Sequence, residues 1–154
     1  MKDMDADRER MLLTFLIQER LFAFGSAVDS KDFCRLTEAF APSASGDYGQ
    51  GRGHRSCDEL IQSMEQHLGA GSNCGPSQHN ILNVRVFVDQ DGGVASQSNF
   101  YAVHEGVGRL QGQIWSTWGQ YNDSWVSTAE GWRIQHRRYV TFFSEGPADI
   151  VARD

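Results

Sequence analysis

The sequence predicts an α+β domain in which a strongly curved, mixed or antiparallel sheet wraps around N-terminal helices. Three observations predict it. Apolar residues recur at helical spacing in the first part of the chain. From Gln78 onward the apolar period falls to two, as in half-buried strands. Short turn signals separate these alternating runs, so helices come first and a meander of strands follows. A curved sheet packed this way leaves a tapering cavity between its concave face and the helices.

Residues 5–24 read as the first helix, with Leu12, Leu13, Phe15, Leu16, Leu21 and Phe22 near helical spacing and Gly25 interrupting or ending it. Asp29 or Ser30 is placed to cap a second helix over residues 31–40, which Pro42 stops. Residues 44–48 read as a short strand, and Gly46, Gly49, Gly51 and Gly53 as a turn-rich loop. A third helix is predicted over residues 57–68, capped by Ser56, with Leu60, Ile61, Met64 and Leu68 as its buried stripe. Strands follow over residues 78–89, 94–104, 111–125 and 132–143, with Asp91-Gly92-Gly93 as a hairpin signal. Residues 145–154 read as a loose tail.

A chain of 154 residues fits one domain, residues 1–154, and needs neither metal nor disulfide to bury a core. Twenty acidic against 14 basic residues, a formal net charge of −6, argue against nucleic acid or an anionic membrane as partner. Cys34, Cys57 and Cys74 are odd in number and lack C-x-x-C spacing, which argues against a disulfide framework or zinc site and for a reducing, cytoplasmic setting. The N-terminus is charged with mixed sign, no apolar signal segment follows it, and no run reads as membrane-spanning.

The chemistry-bearing pattern is an aspartate and a histidine. Asp29 lies just past the first helix in Ala27-Val28-Asp29-Ser30-Lys31-Asp32, and His79 opens a strand in Ser77-Gln78-His79-Asn80. Brought together, the carboxylate orients and charge-stabilises an imidazole that moves protons near neutral pH. Helix capping is the competing role for Asp29, and an ordinary strand-start residue the competing one for His79. Strict alternation also sets His79 opposite Leu82, Val84 and Val86, so a cavity-facing His79 requires two partly buried faces or a bulge. His54 and His67 read as surface residues, and His104 carries no pairing signal. His136, Arg137 and Arg138 form a basic cluster that either salt-bridges the surface or sends one arginine into the cavity. Trp115, Trp118 and Trp125 read as sheet packing or, with Phe87, as a subunit interface.

The Ala-Val-Asp-Ser-Lys-Asp segment, the Gln-His-Asn before an alternating strand, Gly119-x-Tyr121-x-Asp123 and Gly131-Trp132-Arg133-Ile134 together resemble the SnoaL-like, scytalone-dehydratase-like branch of the NTF2-like superfamily. The resemblance runs from about Arg8 to Phe143. It implies a cone-shaped fold and a dehydratase or elimination–isomerisation enzyme acting on a small apolar cyclic substrate without cofactor or metal. Asp29 and His79 take the catalytic places. Tyr48, Asn99, Tyr101, Val28 and Phe24 take substrate-contact places, with Asn99 where such a dehydratase has a second histidine and Val28 where it has a tyrosine. The resemblance also implies a homodimer or homotrimer. Polyketide cyclase or ketosteroid-isomerase-like chemistry on the same scaffold stays open, as does a non-catalytic ligand-binding or assembly subunit.

Overall fold

The computed structural model describes residues 2–49 and 51–152. It contains helices α1 (Lys2–Asp29) and α2 (Cys57–Leu68) and strands β1 (Phe40–Asp47), β2 (Gly53–His54), β3 (Cys74–Val88), β4 (Val94–Gly106), β5 (Ile114–Thr128) and β6 (Gly131–Glu145).

Helix α1 does not stop at Gly25. The glycine lies inside the helix where it presses on β3: a Cβ built there would sit 3.2 Å from the carbonyl oxygen of His79. Glycine thus allows a close approach between the helix and the strand. The helix ends in a Schellman motif, with Lys31 N–H donating to the Val28 carbonyl (3.1 Å), Asp32 N–H to the Ala27 carbonyl (3.0 Å), and Lys31 left-handed at φ 60°. Asp29 is therefore the last helical residue and caps no second helix. By length and composition the stretch Met4–Asp29 suffices to cross a membrane, contrary to the expectation above. Its C-terminal half nevertheless serves as the core helix, burying Ile17, Leu21, Phe24, Ala27 and Val28, while Met11, Leu12 and Phe15 stay exposed.

The expected second helix shrinks to a short 3-10 helix, Phe33–Glu38. Phe40 and Ala41 are drawn instead into β1, which runs parallel to β6. Pro42 lies within β1, where the register shifts between Phe40 and Ser45 and a missing N–H breaks no regular ladder. Helix α2 starts and ends where predicted, and Ser56 Oγ accepts from Glu59 N–H at 3.1 Å as its cap.

The strands form one open mixed sheet in the order β2-β1-β6-β5-β4-β3, antiparallel except at β1·β6. The register of β3 on β4 shifts between Leu82 and Arg85, where Asn83 adopts a positive φ of 52°. This bulge reverses the alternation of β3. Ile81 upstream and Val84 and Val86 downstream all pack on the core, while Leu82 is 48% exposed. The tail is not loose throughout. Residues Ala148–Ile150 form a 3-10 turn whose Ile150 is fully buried with Cys74 and Leu110.

Candidate functional site

Asp29 projects from the last position of α1 towards β3. One of its oxygens meets His79 Nδ1 at 2.6 Å and accepts from Ser77 Oγ at 3.1 Å. The other accepts the backbone N–H of His79 at 2.8 Å. Lys31 Nζ in turn donates to Ser77 Oγ at 3.1 Å. Burial pushes the Asp29 carboxyl up, but the hydrogen bonds from His79 and Ser77 and the attraction of the imidazole outweigh it, so the carboxyl is held below its ordinary value. A carboxylate at the negative end of a long helix is unfavourable for the helix and favourable for a cation beside it. Both Asp29 and the helix end thus stabilise positive charge on His79. Asp29 engages the ring at Nδ1, and Nε2 is the nitrogen that it leaves unengaged.

The imidazole is 8% exposed and forms part of the wall of a cavity of about 470 Å³. Phe24, Val28 and Tyr48 line the same cavity. Tyr48 stacks on Tyr139 at 5.3 Å, and Phe100 stacks on Tyr121 at 4.6 Å. Beneath these rings Arg137 is fully buried, bidentate to Asp123 at 2.8 Å through each nitrogen, with its guanidinium 4.0 Å from the Tyr121 ring and 4.3 Å from Phe24. The Gly119-x-Tyr121-x-Asp123 pattern is now explained: Gly119 leaves room for the Phe100 ring, Tyr121 stacks on it, and Asp123 pairs with the arginine. Of the basic cluster, Arg137 points inward, but Asp123 engages it below the cavity, and His136 Nδ1 is shared with Ser45 Oγ at 2.7 Å.

Asn99 and Tyr101 are not in the cavity. On β4 it is Phe100, Ala102 and His104 that line it, so alternation turns Asn99 and Tyr101 to the other face. There Asn99 accepts from Gln120 Nε2 at 3.4 Å and Tyr101 stacks on Trp118 at 4.8 Å. Trp115 and Trp125 also depart from the expected interface. Trp115 lines the cavity, and Trp125 is buried with its indole N–H on Ser96 Oγ at 2.9 Å.

A model of the SnoaL-like domain matches residues 15–138. The chain belongs to the SnoaL-like family. A search of curated protein sequences finds no match. Among solved structures, this SnoaL-like domain superposes on a scytalone dehydratase-like protein from Novosphingobium aromaticivorans DSM 12444 (TM-score 0.77, 18% identity, 96% of this chain and 92% of that one). It is similar as well to hexachlorocyclohexane dehydrochlorinase LinA-type3 from Novosphingobium barchaimii LL02 (0.77, 13%, 92% and 94%). A third similar structure is an NTF2-like superfamily protein from Salmonella enterica serovar Typhimurium LT2 (0.72, 18%, 85% and 92%). At these identities the likeness establishes the NTF2-like fold.

Three cavity histidines of this SnoaL-like domain escaped the sequence reading: His104, His54 and His67, the last read as a surface residue but lining the cavity from α2 with its Nδ1 2.7 Å from the Ser63 carbonyl. His104 is 3% exposed and stands edge-on to His79, ring centroids 5.1 Å apart. Burial, reinforced by His79, pushes its pKa down to about 3, so it is neutral at working pH. The signal for it was the two-residue spacing from Phe100 through Ala102. His54, read as a surface residue, instead lines the cavity beside Tyr48. The sequence shows it only as part of a glycine loop, and no local pattern marks it. Among the described residues no group of three His, Cys, Asp or Glu side chains is placed to hold a metal ion.

Proposed function

We propose that this SnoaL-like domain is a cofactor-independent enzyme that removes a proton from carbon in a small, largely apolar cyclic molecule. The observation that carries the reading is the 2.6 Å contact between Asp29 and His79 in the wall of a mainly apolar cavity. His79 Nε2 takes a proton from a carbon beside a carbonyl or a leaving group. The Nδ1–H bond to Asp29 selects the tautomer and holds the imidazolium that forms. The electron pair left on carbon moves towards the carbonyl oxygen or expels the leaving group with its bonding electrons. The proton on His79 then returns to the departing oxygen in a dehydration, or to a different carbon in an isomerisation. Neutral His104 beside His79 donates or accepts a hydrogen bond without competing for charge. Two of the similar structures carry the names of elimination enzymes, a dehydratase and a dehydrochlorinase, which supports elimination as the first chemistry to assay. The hydrogen-bonded pair and the cavity favour catalysis over a purely assembling subunit.

Deuterium exchange tests the proton-transfer step directly. In D2O, the enolisable hydrogens of 4-phenylcyclohexanone are followed by proton NMR with wild-type protein, His79→Ala and Asp29→Asn. Wild-type protein accelerates exchange, and each variant loses about 100-fold or more of that acceleration. Equal rates in all three proteins end the proposal.

A further inference from the structure

The cavity wall holds polar atoms with nothing to bind. Tyr48 Oη, His54 Nδ1, His104 Nδ1, Trp115 Nε1 and Thr117 Oγ1 are all buried and make no hydrogen bond among the described residues. Native proteins rarely leave such atoms unpaired, because their lost hydration is not returned. They fall into two groups. His104, Trp115 and Thr117 belong to β4 and β5 beside His79, with Trp115 and His104 rings 5.1 Å apart. Tyr48 and His54 belong to the segment of β1 and β2, at the sheet edge opposite β3, and their rings meet edge-on at 5.4 Å. Apolar side chains including Phe24, Val28, Leu60 and Phe100 line the same cavity, along with Ser63, His67, Thr141 and Ser144.

The chemistry of the remote pair is specific. Burial pushes the Tyr48 phenol up to about 12 against the pull of the neighbouring Arg137 guanidinium, so it stays a neutral O–H whose proton is left to donate. Burial also lowers the His54 pKa, which keeps the ring neutral with one donor and one acceptor nitrogen. A neutral pair able to donate and accept at once is completed by a hydroxyl. The hydroxyl oxygen accepts from Tyr48 while its proton goes to His54 Nδ1. A carbon–halogen bond satisfies neither group, and a carboxylate supplies no proton for the imidazole.

We infer that the substrate is a cyclic carbonyl compound bearing a hydroxyl at the end remote from the reacting carbon, and that His54, with Tyr48, determines specificity by holding that hydroxyl. As a statement about substrate, this rests on the reading of the cavity as the reaction site of Asp29 and His79. As a statement about binding, it is separable from that reading. A site built to hydrogen-bond a hydroxyl rejects the analogue without it far more strongly than an apolar pocket rejects a missing methylene.

Two probes differ only in that group: 4-phenylcyclohexanone and 4-(4-hydroxyphenyl)cyclohexanone. Their affinities are measured by calorimetry on wild-type protein, His54→Phe, His54→Gln and Tyr48→Phe, after thermal melts establish which variants fold. The hydroxylated ketone binds wild-type protein at least tenfold more tightly. His54→Phe and Tyr48→Phe bring the ratio below threefold, and His54→Gln, which keeps an acceptor, retains part of it. A purely structural role would weaken both ketones together and leave the ratio unchanged. A wild-type ratio below threefold, no measurable binding of either ketone, or a ratio that survives in every folded variant overturns the inference. Deuterium exchange on the same ketones separates it from the catalytic proposal. A tenfold preference without exchange supports the hydroxyl site while removing the catalytic reading. Exchange without preference overturns the hydroxyl site alone.

Discussion

His79 is bound to Asp29 twice, through its ring at 2.6 Å and through its backbone N–H at 2.8 Å, across 50 residues of sequence. The double contact fixes both the ring and the strand that carries it. Replacement of His79 by alanine, or of Asp29 by asparagine, is expected to cut kcat/KM for the enzyme's substrate by two or more orders of magnitude. Circular dichroism checks that the fold is kept. A variant with full turnover excludes its residue from the reaction.

The buried Arg137–Asp123 pair is expected to matter for stability. Asp123→Asn leaves an uncompensated guanidinium against the Phe24 and Tyr121 rings. Removing one partner of such a pair costs about 3–5 kcal/mol. Urea denaturation of wild-type protein and variant measures it, and a change within experimental error would show that water or another group takes the place of the carboxylate.

Acid sensitivity should follow His104. Its imidazole, 6.5 in its ordinary state, is held down to about 3 in the fold. Between those values the unfolded chain binds a proton that the folded chain does not. Stability is therefore complete above the higher value and falls as pH drops towards the lower one. At pH 5 the loss is about 2 kcal/mol relative to pH 7. His104→Gln removes that component. Urea midpoints for the two proteins at both pH values test it, and parallel pH profiles would contradict it.

Gly119 has no space for a side chain. A Cβ there would press on the Val140 carbonyl and on the Phe100 ring, neither the tip of a flexible chain. Gly119→Ala is expected to destabilise by about 1–3 kcal/mol, as overpacking does. A differential melt checks it, and an unchanged melting temperature would mean that β5 and β6 shift freely at their register break.

Much of this was legible from the residues. The α+β order, α2 with its Ser56 cap and the second-half strands follow from period and punctuation, which are local properties. Asp29 and His79 stood out because their residue types and places matched a known pattern. What was not legible depended on which way a strand faces. Asn99 and Tyr101 were set on the inner face, although their neighbours Phe100 and Ala102 hold it. That choice turns on one residue of register. The second helix failed because its end pairs with β6, Phe40 opposite Ile134 and the Ala39 carbonyl accepting the Ile134 N–H, a partner nearly a hundred residues away in sequence. His54 reaches the cavity only because β2 folds back on β1.

The irregularity at Asn83 makes β3 a strand with two frames. Odd-numbered side chains look inward before it, and even-numbered ones after it. Were the strand to run regularly through Asn83 with every residue kept, the halves would compete for the interior: either the imidazole stays inside and two valines turn to water, or the valines hold and the imidazole is expelled. One left-handed residue thus lets a greasy anchor and a proton carrier share a single continuous ribbon.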